Sequence, residues 1–163
     1  SFCRLQGVHT AVETTGCGSW DSLYEICRKT DLIYYDIKLL DSELHRKFTG
    51  MSNDVILRNL RRLSENREAV GEIVVRIPCI PGINDHKEQI EQTARFVSEL
   101  KLSFLELLPY NEAAGAKYMW LFQDYSLQKL HTRKKEYYEE LQKYVSQFGL
   151  LPYGVGHGRR KEK

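Results

Sequence analysis

Two charged residues stand two positions apart in Tyr34-Tyr35-Asp36-Ile37-Lys38, at the end of an apolar run. On a strand, residues i and i+2 share one face, so a carboxylate and an ammonium are presented side by side. On a covered face both charges are costly unless paired or ligated. Two readings stand. One is a structural ion pair, of Asp36 and Lys38 with each other or with neighbours. The other is a site for a ligand bearing a charge and hydroxyls, with Lys38 meeting a carboxylate and Asp36 meeting hydroxyls. Glu13 ends another run just before Gly16, either as a turn carboxylate ahead of a helix or as a ligand group. Arg76 interrupts the apolar run Ile73–Ile77, and Glu106 interrupts the next, between Leu105 and Leu107. If both face inward they could neutralise each other, while the fixed fork of donors on Arg76 also suits a substrate backbone or carboxylate. Asn111, directly after Pro109-Tyr110, is either a turn asparagine or a further contact.

These residues sit at the ends of four apolar runs. Val8–Val12 leads into Glu13-Thr14-Thr15-Gly16, and Leu32–Tyr35 leads into Asp36-Ile37-Lys38. Ile73–Ile77 leads into Pro81-Gly82-Ile83-Asn84-Asp85, and Phe104–Leu108 into Pro109-Tyr110-Asn111. Helical spacing separates the runs. It is carried by Trp20, Leu23, Tyr24 and Cys27 behind Ser19 or Asp21 as N-cap, and by Ile56, Leu57, Leu60 and Leu63 behind Asn53. Further stripes are Ile90, Ala94, Val97 and Leu100 behind Asn84 or Asp85, and Tyr137, Leu141, Tyr144, Val145 and Phe148 before Gly149. Strands alternating with helices predict an α/β chain with a parallel sheet. The expectation is a partial (β/α) barrel of about four βα units plus a C-terminal helix, with its chemistry at the carboxyl ends of the strands. Pro81-Gly82 fits the two central positions of a type II turn.

A chain of 163 residues with a net charge of +2 is one domain with a real core and little electrostatic case for nucleic-acid binding. We read residues 1–152 as that domain and 153–163 as a polar basic tail. Ser1–Gly7 reads as the tail of a helix closed by Gly7, so the chain is expected to be a cut through a larger protein. The unpaired edge of the first strand, with exposed apolar inner surface, predicts self-association. Cys3, Cys17, Cys27 and Cys79 have no short ligand spacing, and His9, His45, His86 and His131 have no partner at metal spacing. Cys27 and Cys79 look like core residues, and reduced thiols fit a cytoplasmic protein. No run approaches the ~20 apolar residues of a membrane span.

In order and wording, five stretches resemble one family. They are residues 7–16 (GVHTAVETTG), 34–38 (YYDIK), 48–53 (FTGMSN), 76–85 (RIPCIPGIND) and 106–111 (ELLPYN). Together they resemble the C-terminal portion of glycyl-radical-enzyme activating enzymes of the pyruvate formate-lyase activating enzyme type, in the radical S-adenosylmethionine superfamily. The resemblance implies an open six-stranded βα barrel, of which this chain would supply the last four strands. It implies an oxidoreductase parent that uses a [4Fe–4S] cluster and S-adenosylmethionine to generate a glycyl radical on a partner enzyme such as pyruvate formate-lyase. An electron donor such as flavodoxin or ferredoxin is implied as well. By resemblance, Glu13, Asp36 and Lys38 contact the methionyl and ribose parts of S-adenosylmethionine, and Asn111, which stands where histidine is frequent, is a further S-adenosylmethionine contact. Ile80 and Gly82 lie near the adenine, Arg76 lies near the entering glycine loop, and Glu13, Thr14 and Asp36 form a monovalent cation site. Glu13 is often aspartate in the family. The Cys-x-x-x-Cys-x-x-Cys and Gly-Gly-Glu segments are absent, so no iron–sulfur ligands are assigned and the chain alone is expected to be inactive. The alternatives are a stand-alone βα-barrel domain binding a small anionic ligand and a non-catalytic partner domain.

Overall fold

The computed structural model describes residues 2–120, 122, 124, 127 and 129–153. A short helix α1 (Phe2–Leu5) ends at Gly7, whose φ of +67° lies in the left-handed region where glycine is unstrained. Strand β1 (Ala11–Thr14) follows, then α2 (Trp20–Cys27), β2 (Leu32–Asp36), α3 (Ser42–Thr49) and α4 (Asp54–Glu65). β3 (Glu72–Pro78), α5 (Lys87–Glu99) and β4 (Phe104–Leu108) complete the sheet. A 3₁₀ turn (Glu112–Ala114), α6 (Gly115–Trp120) and α7 (Lys135–Ser146) close the described chain.

The four strands form one parallel sheet in the order β1-β2-β3-β4, open rather than closed. The architecture is therefore the expected partial βα barrel. The main core lies on one face. Ile33 and Tyr35 of β2, Ile73, Val75 and Ile77 of β3, and Leu105 and Leu107 of β4 pack with Leu23 and Cys27 of α2, Leu60 of α4, Ile90 and Val97 of α5, and Leu141 and Val145 of α7. The alternating residues point the other way, where Leu32, Val74 and Phe104 make a small second cluster with Tyr34 and Tyr153. Helices α2, α4, α5 and α7 thus cover one side, and the other is the inner face of the partial barrel.

The two sheet edges differ. Beside β1 no further strand pairs among the described residues. Beside β4, Leu105 N–H donates to the Leu151 carbonyl (3.0 Å) and Leu151 N–H to the Ser103 carbonyl (2.9 Å). Further along, the Gln142 side chain takes the place of a strand, accepting from Leu107 N–H (3.4 Å) and donating to the Leu105 carbonyl (3.0 Å). Backbone groups that would recruit another strand are satisfied there.

Several local expectations change. The first strand begins at Ala11 rather than Val8, because the Asp31 carboxylate takes the Thr10 N–H and hydroxyl (both 2.9 Å). Helix α3, capped by the Asp41 carboxylate on Leu44 N–H (2.7 Å) and closed by Gly50 at φ +85°, has no counterpart in the apolar spacing. Ser19, not Asp21, caps α2. Neither Asn84 nor Asp85 caps α5, whose N-cap position is His86. Tyr153 belongs to the packed body, standing edge-on to Phe104 at 5.1 Å and Tyr34 at 6.3 Å, while residues 154–163 of the basic tail lie outside the described residues. Among the described residues no helix is long and apolar enough to cross a membrane.

Candidate functional site at the strand ends

Parallel pairing brings polar residues of all four strands together on the inner face. Asp36 pairs in register with Arg76, and Arg76 with Glu106. Glu13 lies one pleat back, in the row of Tyr34. Arg76 is 8 % exposed and donates from Nε to Asp36 Oδ1 (2.9 Å) and from Nη1 to Glu13 Oε1 (3.0 Å). Its guanidinium lies over the Tyr34 ring, 4.7 Å from the centroid. The charge on Asp36 is therefore answered by Arg76, not Lys38. Lys38 is half-buried and has no carboxylate within ion-pair distance among the described residues.

The electrostatics follow from these contacts. Burial works against the Arg76 charge, but its bonds to Glu13 and Asp36 prevail and hold its pKa above the usual arginine value. The hydrogen bond and charge of Arg76 pull the exposed Glu13 carboxyl below the usual glutamate range. Glu106 shares the inner face with Arg76 but makes no ion pair with it among the described residues. Burial pushes its carboxyl up, against the pull of Arg76 and a hydrogen bond from the Tyr153 backbone.

Three buried asparagines hold the loops that leave the strands. Asn59 Nδ2 donates to the carbonyls of Gly16 (2.8 Å) and Gly18 (3.0 Å), after β1. Asn53 Nδ2 donates to those of Leu39 and Leu40 (both 2.8 Å), after β2. Asn84 binds Ile80, Lys38 and Pro78. Sequence reasoning placed Asn53 and Asn84 at helix N-caps, which their type allows. Their buried tertiary roles have no signal in local spacing.

The remaining predicted residues are placed as follows. Pro81-Gly82 forms the type II turn, with Ile83 N–H on the Ile80 carbonyl (3.0 Å) and Gly82 at φ +76°. Asn111 is exposed and its Oδ1 accepts from Ala113 N–H (3.0 Å), as a turn asparagine does. The structure gives it no contact with the Arg76 group. Thr14 alternates with Glu13, on the side of Val12 and the helices, and its hydroxyl accepts from Gly16 N–H (2.9 Å). The structure does not bring that hydroxyl to the two carboxylates, whose nearby cation is Arg76.

Cys27 and Cys79 are fully buried, and burial pushes their thiols up to about 11 and about 12. Cys3 and Cys17 are exposed. Among the described residues, no three or more His, Cys, Asp or Glu side chains are grouped to hold a metal ion.

No family model matches the chain. A trans-4-hydroxy-L-proline dehydratase activating enzyme of Clostridioides difficile is 34 % identical over 145 residues, covering 88 % of this chain and 47 % of that protein. An isethionate sulfite-lyase activating enzyme of Oleidesulfovibrio alaskensis is 42 % identical over 118 residues, covering 72 % of this chain and 38 % of that protein. The crystal structure of a domain of a pyruvate-formate lyase-activating enzyme from Bacteroides vulgatus superimposes with a TM-score of 0.73 at 28 % identity, covering 95 % of this chain and 86 % of that one. The chain spans about half the length, or less, of the curated relatives it matches. It belongs to the glycyl-radical-enzyme activating enzymes of the radical S-adenosylmethionine superfamily.

Proposed function

We propose that this chain is the C-terminal part of a radical S-adenosylmethionine oxidoreductase that generates a glycyl radical on a partner enzyme. The observation that carries the reading is the meeting of Asp36, Arg76 and Glu13 on the helix-free face of a chain whose relatives are activating enzymes. S-adenosylmethionine, when bound, would supply the group that takes up the hydrogen atom of the target glycine.

The residues fit such a ligand. Lys38, free of a carboxylate among the described residues, would meet the carboxylate of the ligand. Asp36 and Glu13 each give one oxygen to Arg76 and keep the other for hydroxyl or ammonium donors. Ile80, half-buried beside the Gly82 turn, would offer an apolar edge to the adenine. Arg76 Nη2 has no protein acceptor among the described residues, so the anchored guanidinium would present it to the backbone of the glycine loop. Asn111 keeps its amide donors for a neutral contact.

The described cysteines do not fit a cluster, since two are buried with raised thiol pKa values and the two exposed ones are too few to hold it. Under this reading the cluster ligands lie elsewhere in the parent protein, as does part of the contact with an electron donor such as flavodoxin or ferredoxin. The unpaired β1 edge, opposite the covered β4 edge, is where the remaining strands would join. The same edge would drive self-association of the isolated chain. The relatives are named for different partner enzymes, so the partner is proposed as a class, a glycyl radical enzyme.

The test uses the full-length protein reconstituted anaerobically with iron and sulfide. The expected result is 5′-deoxyadenosine formation under reductant and a glycyl radical on the partner, seen by electron paramagnetic resonance. Reconstituted protein that binds S-adenosylmethionine and gives neither product overturns the reading.

A further inference from the structure

The backbone ladder between β2 and β3 ends with Ile37 N–H on the Arg76 carbonyl at 2.9 Å. Beyond that rung the two chains separate, and one side chain spans them. Asn84, 2 % exposed, donates from Nδ2 to the Lys38 carbonyl (2.8 Å) and the Pro78 carbonyl (2.9 Å), and its Oδ1 accepts from Ile80 N–H (2.6 Å). Both amide donors are used, and the acceptor is used as well. An aspartate at this position would turn an oxygen toward two carbonyls.

We infer that Asn84 is a positioning residue for the ligand site, acting through Lys38 and Ile80. This rests on the reading that those two residues meet S-adenosylmethionine. Asn84 makes the chain beyond β2 and the chain beyond β3 one unit. Lys38 carries a long, rotatable side chain, so the placement of its ammonium depends on a fixed backbone. Fixing that backbone before binding lowers the ordering cost that association must overcome. The unit is held on two further sides. Asn53 fixes Leu39 and Leu40 directly after Lys38. Asp85, fully buried, accepts from Gly82 N–H (2.7 Å) and Arg133 Nε (2.8 Å), and its carbonyl accepts from the Tyr137 hydroxyl (2.8 Å), which ties the turn to α7. With those anchors in place, loss of the Asn84 bridge is expected to shift Lys38 and Ile80 relative to each other without unfolding the loops.

The test is a double-mutant cycle on the full-length protein, with S-adenosylmethionine titrated by calorimetry. Asn84→Asp keeps volume and the Ile80 acceptor and removes the bridge. It is expected to weaken binding about three- to tenfold. Combined with Lys38→Ala, it is expected to cost at least about threefold less than it does alone. If Asn84→Asp leaves too little folded protein by near-ultraviolet circular dichroism, Asn84→Ser enters the same cycle. Additive losses would show that Asn84 does not act through Lys38 and overturn the inference. So would unchanged affinity in the Asn84 variant beside a weakened Lys38→Ala, a result that leaves the ligand site standing. Unchanged affinity in Lys38→Ala would remove the site itself and the inference with it.

Discussion

Arg76 and Asp36 are register partners on neighbouring parallel strands, and their side chains meet at 2.9 Å on the face opposite the helices. The ladder determines that meeting, since residues paired across two strands project to the same side. Glu13 reaches the same guanidinium from one pleat back, past the Tyr34 ring. Removing the arginine leaves Asp36, mostly shielded, without its partner. Arg76→Met is expected to destabilise the protein by about 1–2 kcal/mol, because Glu13 is largely solvated and contributes little. Adding Asp36→Asn should recover part of the loss. Urea denaturation of the single and double variants measures both, and a neutral Arg76→Met would remove the pair from the stability of the sheet.

Lys38→Ala should weaken S-adenosylmethionine binding by the parent protein roughly ten- to a hundredfold, the size of one charge-assisted hydrogen bond of about 1.5–3 kcal/mol. Asn111→Ala should cost less, because its contact would be neutral. Calorimetry that ranks Asn111 above Lys38 would reverse the assignment.

The two outer carboxylates of the inner face should titrate with opposite signs. Glu13 has a lowered folded pKa, so its contribution is present above the usual carboxylate range and is lost as pH falls through that folded pKa. Glu106 has a raised folded pKa, mainly from burial, so the fold loses stability as pH rises from the usual glutamate value through the raised one. Glu106→Gln should therefore be more stable than the parent near neutral pH, with the gain vanishing in acid. Thermal melts at both pH values check it, and an equal effect at each would refute the burial argument.

Gly16→Ala tests the packing under the first loop. A Cβ at Gly16 would lie 1.7 Å from the Tyr35 hydroxyl oxygen, and the residue has φ +67°. Tyr35 is fully buried and its hydroxyl donates to the Ile56 carbonyl at 2.7 Å, so it cannot move away freely. Overpacking together with left-handed strain should cost about 2–4 kcal/mol. Tyr35→Phe, which loses the hydrogen bond alone, should cost about 1–2 kcal/mol. A denaturation midpoint for Gly16→Ala equal to that of the parent would contradict the geometry.

Thiol labelling under native conditions should modify Cys3 and Cys17 and spare Cys27 and Cys79, which react only on unfolding. Peptide mapping after alkylation identifies the sites, and rapid native labelling of Cys79 would show that the β3 end opens readily.

Hydrophobic alternation, glycine and proline punctuation and the polar ends of the runs carried the fold class, three of the four strand positions to within a residue, and the likeness to the activase family. Those are local properties, written in side-chain period and turn chemistry. The inward direction of Glu13, Asp36, Arg76 and Glu106 was open in the sequence, because a strand of period two does not say which face the helices will cover. Only the helices packing on Ile33, Tyr35 and Val75 decided it. The choice of Arg76, rather than Lys38, as the partner of Asp36 came from the β2–β3 register, a contact across 40 residues that no local spacing encodes. The roles of Asn53, Asn59 and Asn84 were likewise decided in three dimensions. An asparagine is a plausible cap wherever a helix begins, and only the folded chain brings distant carbonyls within reach of its amide.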